Sequence, residues 1–287
     1  MTKNTSNINQ SLKIPRIIVL TSKLISFISP KLITLFAAKL FTTPIKHKIP
    51  KRELEMDRNS IQKFINIPAI NKKVVVYQYG ESSKKILLVH GWSGRGTQLC
   101  KLAEALLQQG YSTISFDAPA HGKSPGKTTI MVDFIASILE IEKQFGPFDA
   151  AIGHSLGGMS VLNAIKKGLK VNHAVVIGSG DIVEDIIDDF VKKLELKPQI
   201  AILLRLHFEK KFNEKMNDYS AFLAAKKADM PILVIHDNID PEVPVTTSIN
   251  IHKYLKNGTL YLTQGLGHTK ILGNQKVIEK TIKFIQN

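Results

Sequence analysis

From residue 74 onward the chain alternates two hydrophobic rhythms. Short, nearly continuous apolar runs occupy 74–79, 85–90, 113–116, 149–152, 174–177, 231–237 and 259–263. Their length and their content of β-branched residues suit strands better than helices. Longer stretches with an apolar residue every three or four positions fall at 97–109, 130–145 and 159–167. Apolar runs with little polar alternation belong to strands covered on both faces, so the pattern predicts an α/β fold with a mainly parallel, doubly wound sheet flanked by helices. Ser82, Ser83 and Lys84 read as a hairpin turn between the first two strands. Between 181 and 230 the alternation gives way to charged sequence of helical period, which predicts a helical insertion. Its apolar positions, Ile182, Ile186, Ile187, Phe190, Leu194, Leu203, Leu206, Phe208 and Phe212, suit either a roof over a pocket or plain helix packing.

Ahead of this lies a different kind of sequence. Residues 1–13 are polar, and 15–41 are apolar with Lys23, Ser26, Pro30 and Thr34 at helical spacing. This predicts two short amphipathic helices broken before Pro30. The longest uncharged stretch is too short to span a bilayer. Cations recur through the segment with no cleavage site after a single apolar block, unlike a secretory signal. Two readings stay open: the helices pack on the rest of the chain, or they lie on an anionic membrane surface.

The chemistry concentrates at strand exits. Gly153-His154-Ser155-Leu156-Gly157 follows one apolar run and opens a helical one, the context of a nucleophile elbow, which holds a serine on a tight strand-to-helix turn. A serine hydroxyl needs a base, and the base needs an orienting acid. Asp240 lies in the loop after the 231–237 run, between prolines, and His268 follows the 259–263 run with Gly265 and Gly267 ahead of it. Asp181 and Asp237 are the competing acids. Trp92, in the Gly91-Trp92-Ser93-Gly94 turn, and Leu156, after the serine, supply backbone N–H groups for an oxyanion hole.

In these landmarks the chain resembles the α/β-hydrolase-fold serine hydrolases of esterase and lipase type. The resemblance rests on His90-Gly91-Trp92, on Asp117-Ala118-Pro119-Ala120-His121-Gly122-Lys123-Ser124, on Ser155 in its elbow, and on Asp240 and His268, in that order. Ala120 stands where the family's loop often has glycine, and His236-Asp237 where glycine often follows the strand. The resemblance implies hydrolysis of a carboxylic ester through a Ser155–His268–Asp240 triad and an acyl-enzyme. It also makes the 181–230 insertion a lid. A membrane-peripheral lipase or thioesterase is an alternative within this fold, as is a ligand-binding member without activity; amide and carbon–carbon bond cleavage also stay open.

Composition narrows the rest. Of 39 Lys and Arg, ten fall in residues 1–52 beside no acid, leaving 29 against 24 Asp and Glu, so the charge of +15 is mainly N-terminal. That segment lacks the aromatic interleaving of a nucleic-acid binder, and none is expected as partner. The single cysteine, Cys100, excludes an internal disulfide and fits a reducing cytoplasm. No phosphate-binding glycine loop and no histidine–carboxylate ligand spacing appears, so no cofactor and no metal is expected. His90 and His121 read as structural, and His154 as a residue facing away from the reacting atom. His47, His173, His207, His236 and His252 have no partner pattern. The organisation expected is a basic amphipathic extension over 1–56 and one catalytic domain over 57–287, cytoplasmic, with peripheral membrane contact through 1–52 as the second reading. The oligomeric state is not legible.

Overall fold

The computed structural model describes residues 14–287. Eight strands form one sheet: β1 (Ile61–Ile67), β2 (Lys72–Tyr79), β3 (Lys85–Val89), β4 (Ser112–Asp117), β5 (Ala150–His154), β6 (His173–Ile177), β7 (Ile232–Asp237) and β8 (Gly258–Thr263), in the order β1-β2-β4-β3-β5-β6-β7-β8. From β3 to β8 all are parallel, while β2 runs antiparallel to β4 and β1 antiparallel to β2. The expected hairpin at 82–84 does not form, because β2 pairs with β4, which separates it from β3. β1 is an edge strand with only Ile65 and Ile67 buried, too little apolar alternation for the sequence to reveal it.

The pleat divides the core. On β3, Leu87 and Val89 point to one layer while Ile86 and Leu88 point to the other. The first layer holds α5 (Met131–Phe145), α6 (Leu156–Lys166) and α10 (Val245–Tyr254); the second holds α4 (Cys100–Gln108) and α12 (Gln275–Gln286). A doubly wound sheet places its functional loops at the carboxyl ends of the strands, where the chain reverses direction across the sheet. Here β4 and β5 lie on opposite sides of β3.

The insertion is helical, as expected. It comprises α7 (Val183–Lys193), α8 (Gln199–Phe212) and the short α9 (Ala221–Ala225). Ile187, Leu194 and Phe208 are buried in the first core layer and pack the helices. The N-terminal helices are α1 (Arg16–Ile28) and α2 (Pro30–Phe41), split where Pro30, which has no N–H, occupies the first helical position and Ser29 accepts from Leu32 N–H. Their polar stripe is partly turned inward. Ser22 and Thr34 are buried and donate to the carbonyls of Ile18 and Pro30, while the apolar α1 residues Ile17, Leu20 and Leu24 face solvent. Phe41 packs edge-on against Phe190 of α7 and touches Phe208 of α8, so the helical pair rests on the insertion.

A short connector ties this region to the sheet. Glu53, just ahead of α3 (Leu54–Asn59), is buried and accepts from Arg95 at 3.2 Å and Thr97 at 2.8 Å. Both partners lie in the β3–α4 loop that carries Trp92. Downstream, α11 (Gly267–Lys270) is a single turn after β8.

Candidate active site

Ser155 stands between β5 and α6 with φ +53° and ψ −119°, a conformation costly for a residue with a β-carbon. Close packing allows nothing larger than glycine beside it. A β-carbon on Gly153 would lie 2.4 Å from Gly157 O, and one on Gly157 would lie 2.3 Å from Val89 O. The elbow is therefore fixed by backbone on both sides. Leu156 opens α6, so its N–H has no intrahelical acceptor. Gly91 approaches so closely that a β-carbon there would be 3.1 Å from Ser155 Cβ, which puts the Trp92 turn against the serine.

Two loops, at the carboxyl ends of β7 and β8, meet beside this turn. His268 Nδ1–H donates to Asp240 Oδ2 at 2.8 Å, and both side chains are buried. Asp240 Oδ1 accepts from the N–H groups of Glu242 (2.8 Å) and Val243 (3.0 Å). Burial pushes the Asp240 carboxyl upward, but the His268 hydrogen bond, the charge of that ring and the two amides outweigh it, leaving it below the usual range. The other ring nitrogen of His268, Nε2, lies 3.9 Å from Glu242 Oε2. Burial raises the Glu242 carboxyl.

A cavity of about 190 Å³ is lined by Ser155, His268, Trp92, His154, Glu242 and Lys193, among others. Ser155 and His268 thus share one space, but no hydrogen bond joins Ser155 Oγ to the imidazole. The insertion contributes a cation, Lys193 at the end of α7, and none of the apolar residues that suited a roof; Ile187, Leu194 and Phe208 pack in the core with Phe190, Leu203 and Phe212 against them, while Ile186 and Leu206 face solvent. Among the described residues no cluster of three His, Cys, Asp or Glu side chains is placed to hold a metal ion.

The remaining polar candidates sort by their partners. Asp181 accepts from Phe222 N–H and Asn250 Nδ2, away from His268. Asp117 binds Gly96 N–H, Lys123 N–H and the Tyr77 hydroxyl, and so braces its own loop, where Ala120 takes the left-handed φ of +66° in place of glycine. His90 accepts from Ala118 N–H and His121 from Ser93 N–H; burial lowers both rings, His121 to about 4. His154 was expected to face away. The ring is buried and its Nε2–H donates to the His268 carbonyl at 2.9 Å, and desolvation lowers it to about 3.

Two supporting residues were missed in the sequence. His236, read as partnerless, is fully buried between Ser248 Oγ (2.6 Å) and Val243 O (3.0 Å) and holds the Asp240 loop. Asp237, read only as a rival acid, accepts from Ile239 N–H, Gly265 N–H, Leu266 N–H and the Thr263 hydroxyl, clamping the Asp240 loop to the His268 loop. The one sequence signal was two adjacent polar residues ending a strand buried throughout.

Comparison with known proteins agrees with this architecture. A family model for the α/β hydrolase fold matches residues 84–204, and one for TAP-like proteins matches 215–287. A serine hydrolase-like protein of Dictyostelium discoideum is 32% identical over 83 residues, 27% of this chain and 23% of that one, so the match spans about a quarter of the relative's length. Among solved structures, the Pyrococcus furiosus esterase Pf2001 superimposes with a TM-score of 0.65 at 18% identity, over 85% of this chain and 96% of that one. An Exiguobacterium antarcticum esterase gives 0.64 at 16%, over 79% and 100%, and a Bacillus anthracis bromoperoxidase 0.62 at 16%, over 79% and 100%. At these identities the likeness speaks for fold. With the elbow at the carboxyl end of β5 and family matches over residues 84–204 and 215–287, the chain has the α/β-hydrolase fold.

Proposed function

We propose that this protein is a serine hydrolase acting on a carboxylic ester or a closely related acyl compound. The observation that carries the reading is the Asp240–His268 pair at 2.8 Å, with His268 and Ser155 lining one cavity. Ser155 Oγ attacks the acyl carbonyl and gives its proton to His268 Nε2. Asp240 holds the Nδ1–H tautomer and stabilises the imidazolium. The N–H groups of Trp92 and Leu156 receive the negative oxygen of the tetrahedral intermediate. Nε2–H then protonates the leaving alkoxide, and water, deprotonated by the same nitrogen, releases the acid from the acyl-enzyme. Catalytic hydrogen bonds are commonly long in a free enzyme and shorten with substrate bound, which suits the separate Ser155 and His268.

In this reading 57–287 form the catalytic unit and 181–230 its lid. The cavity of about 190 Å³ lies below the range of about 300–1,000 Å³ usual for drug-sized ligands, so short acyl groups fit best. The test is hydrolysis of nitrophenyl acetate by the wild type and by Ser155→Ala. The variant should lose at least about 10⁴-fold in kcat, because members of such a triad act as one unit. A loss under tenfold would place the nucleophile elsewhere.

A further inference from the structure

Half of the exposed large apolar side chains of the described chain lie within residues 17–45. On α1 they form one stripe: Ile17, Leu20, Leu24, Phe27 and Ile28 are separated by steps of three, four, three and one, which keeps them within about a third of the helix circumference. Their exposures run from 62% at Leu20 to 87% at Phe27, and Leu35 of α2 is exposed as well. The opposite face is occupied. Val19 and Ser22 of α1 and Ile33, Ala37 and Ala38 of α2 are buried, so the pair is anchored with its apolar stripe outward. The arrangement is held from below by Phe41 on Phe190 and Phe208 and by the ion pair of Lys23 with Glu195. A clustered apolar face of this kind marks an interaction surface in a water-exposed protein.

Charge identifies the occupant. Residues 1–52 carry ten Lys and Arg and no acid, and Arg16, Lys31, Lys39 and Lys48 are exposed. An apolar stripe on a segment that carries cations and no acid of its own, with Glu195 of the insertion paired to Lys23, matches a surface that is apolar within and negatively charged at its boundary. No described helix is long and apolar enough to cross a membrane, which leaves the helices lying on it. We propose that the outer face of α1 and α2 docks on an anionic lipid bilayer, with Leu20, Leu24 and Phe27 inserted among the acyl chains and the surrounding cations at the headgroups. This inference is independent of the chemistry at Ser155.

The test is co-sedimentation of the full chain with phosphatidylcholine vesicles with and without phosphatidylglycerol, beside sedimentation velocity of the protein alone. The wild type should pellet with the anionic vesicles, bind pure phosphatidylcholine far more weakly, and be released in part by salt. A variant combining Leu20→Ser, Leu24→Ser and Phe27→Ser should partition at least about tenfold more weakly, since three large apolar groups no longer insert. Its melting temperature should match the wild type, because the three positions are solvent-exposed. Equal pelleting of variant and wild type, or a wild type that stays in the supernatant with anionic vesicles, would overturn the proposal. So would a wild-type dimer that the variant converts to a monomer without any vesicle binding, which would assign the face to a second copy of this chain.

Discussion

Replacing Asp240 by Asn should do more harm than its single-atom change suggests, for a reason written in the hydrogen bonds. Asp240 Oδ1 accepts two backbone N–H groups, from Glu242 and Val243, and only Oδ2 faces His268. An asparagine must give its oxygen to the two amides, because an NH₂ there would meet two donors. Its NH₂ then faces His268 Nδ1 at about the present 2.8 Å. That nitrogen must become an acceptor, the proton moves to Nε2, and the ring loses the lone pair that receives the Ser155 proton. The loss of charge also removes the partner that stabilises the imidazolium. A wrong tautomer of this kind costs about 10⁴ in turnover in the serine-protease triad, which corresponds to about 5.5 kcal/mol. The assay is kcat and KM on nitrophenyl acetate, with Asp240→Ala beside it and melting temperatures as control. The expected result is a kcat for Asp240→Asn lower by about 10³–10⁴ with KM nearly unchanged. Retention of activity within tenfold, in a variant that melts near the wild type, would refute the assignment of Asp240.

Other outcomes follow from the packing and the charges. Gly157→Ala should abolish soluble folded protein or activity, since its β-carbon would lie 2.3 Å from Val89 O and 2.6 Å from His90 O; Gly273→Ala, whose nearest neighbour is 3.9 Å away, should melt like the wild type. Asp237→Asn should lower stability by about 2 kcal/mol at neutral pH, as both of its carboxylate oxygens accept protein donors. Burial raises that carboxyl, but the Leu266 N–H, the Thr263 hydroxyl and further amides bring it below its ordinary value, so its contribution is complete above about pH 3.9 and lost as pH falls through the lower folded value. Denaturation at graded pH should therefore show the gap between variant and wild type narrowing below about pH 4. Glu53→Ala should cost about 3–5 kcal/mol in chemical denaturation by leaving Arg95 buried without its partner. Nitrophenyl butyrate should be cleaved with higher kcat/KM than the dodecanoate if the cavity of about 190 Å³ bounds the acyl group.

Much of the fold was legible because a doubly covered parallel strand has no polar face to confuse the pattern. β3, β5, β6 and β7 are apolar runs in sequence and are buried along nearly their whole length. Ser155, Asp240 and His268 stand out as candidates because each sits at a strand exit with local turn chemistry of its own. Adjacency was not legible. Nothing within β2 or β3 states that β4 lies between them, since that pairing is decided by the whole sheet. The same limit hid His236 and Asp237, whose partners at Ser248 and Leu266 are distant in sequence. It also hid the orientation of α1. Hydrophobic period places a stripe on a helix without saying which face the neighbouring helices cover, and here the small, partly polar face is the buried one.

The central claim is that Ser155 is made nucleophilic by His268. A fluorophosphonate reacts with an activated serine and spares an ordinary one, so peptide mass spectrometry after labelling reads the claim directly. The account predicts one adduct, on Ser155, in the wild type, and none in His268→Ala under the same conditions. An adduct on another residue, no adduct on folded wild-type protein, or undiminished labelling of the His268 variant would contradict it.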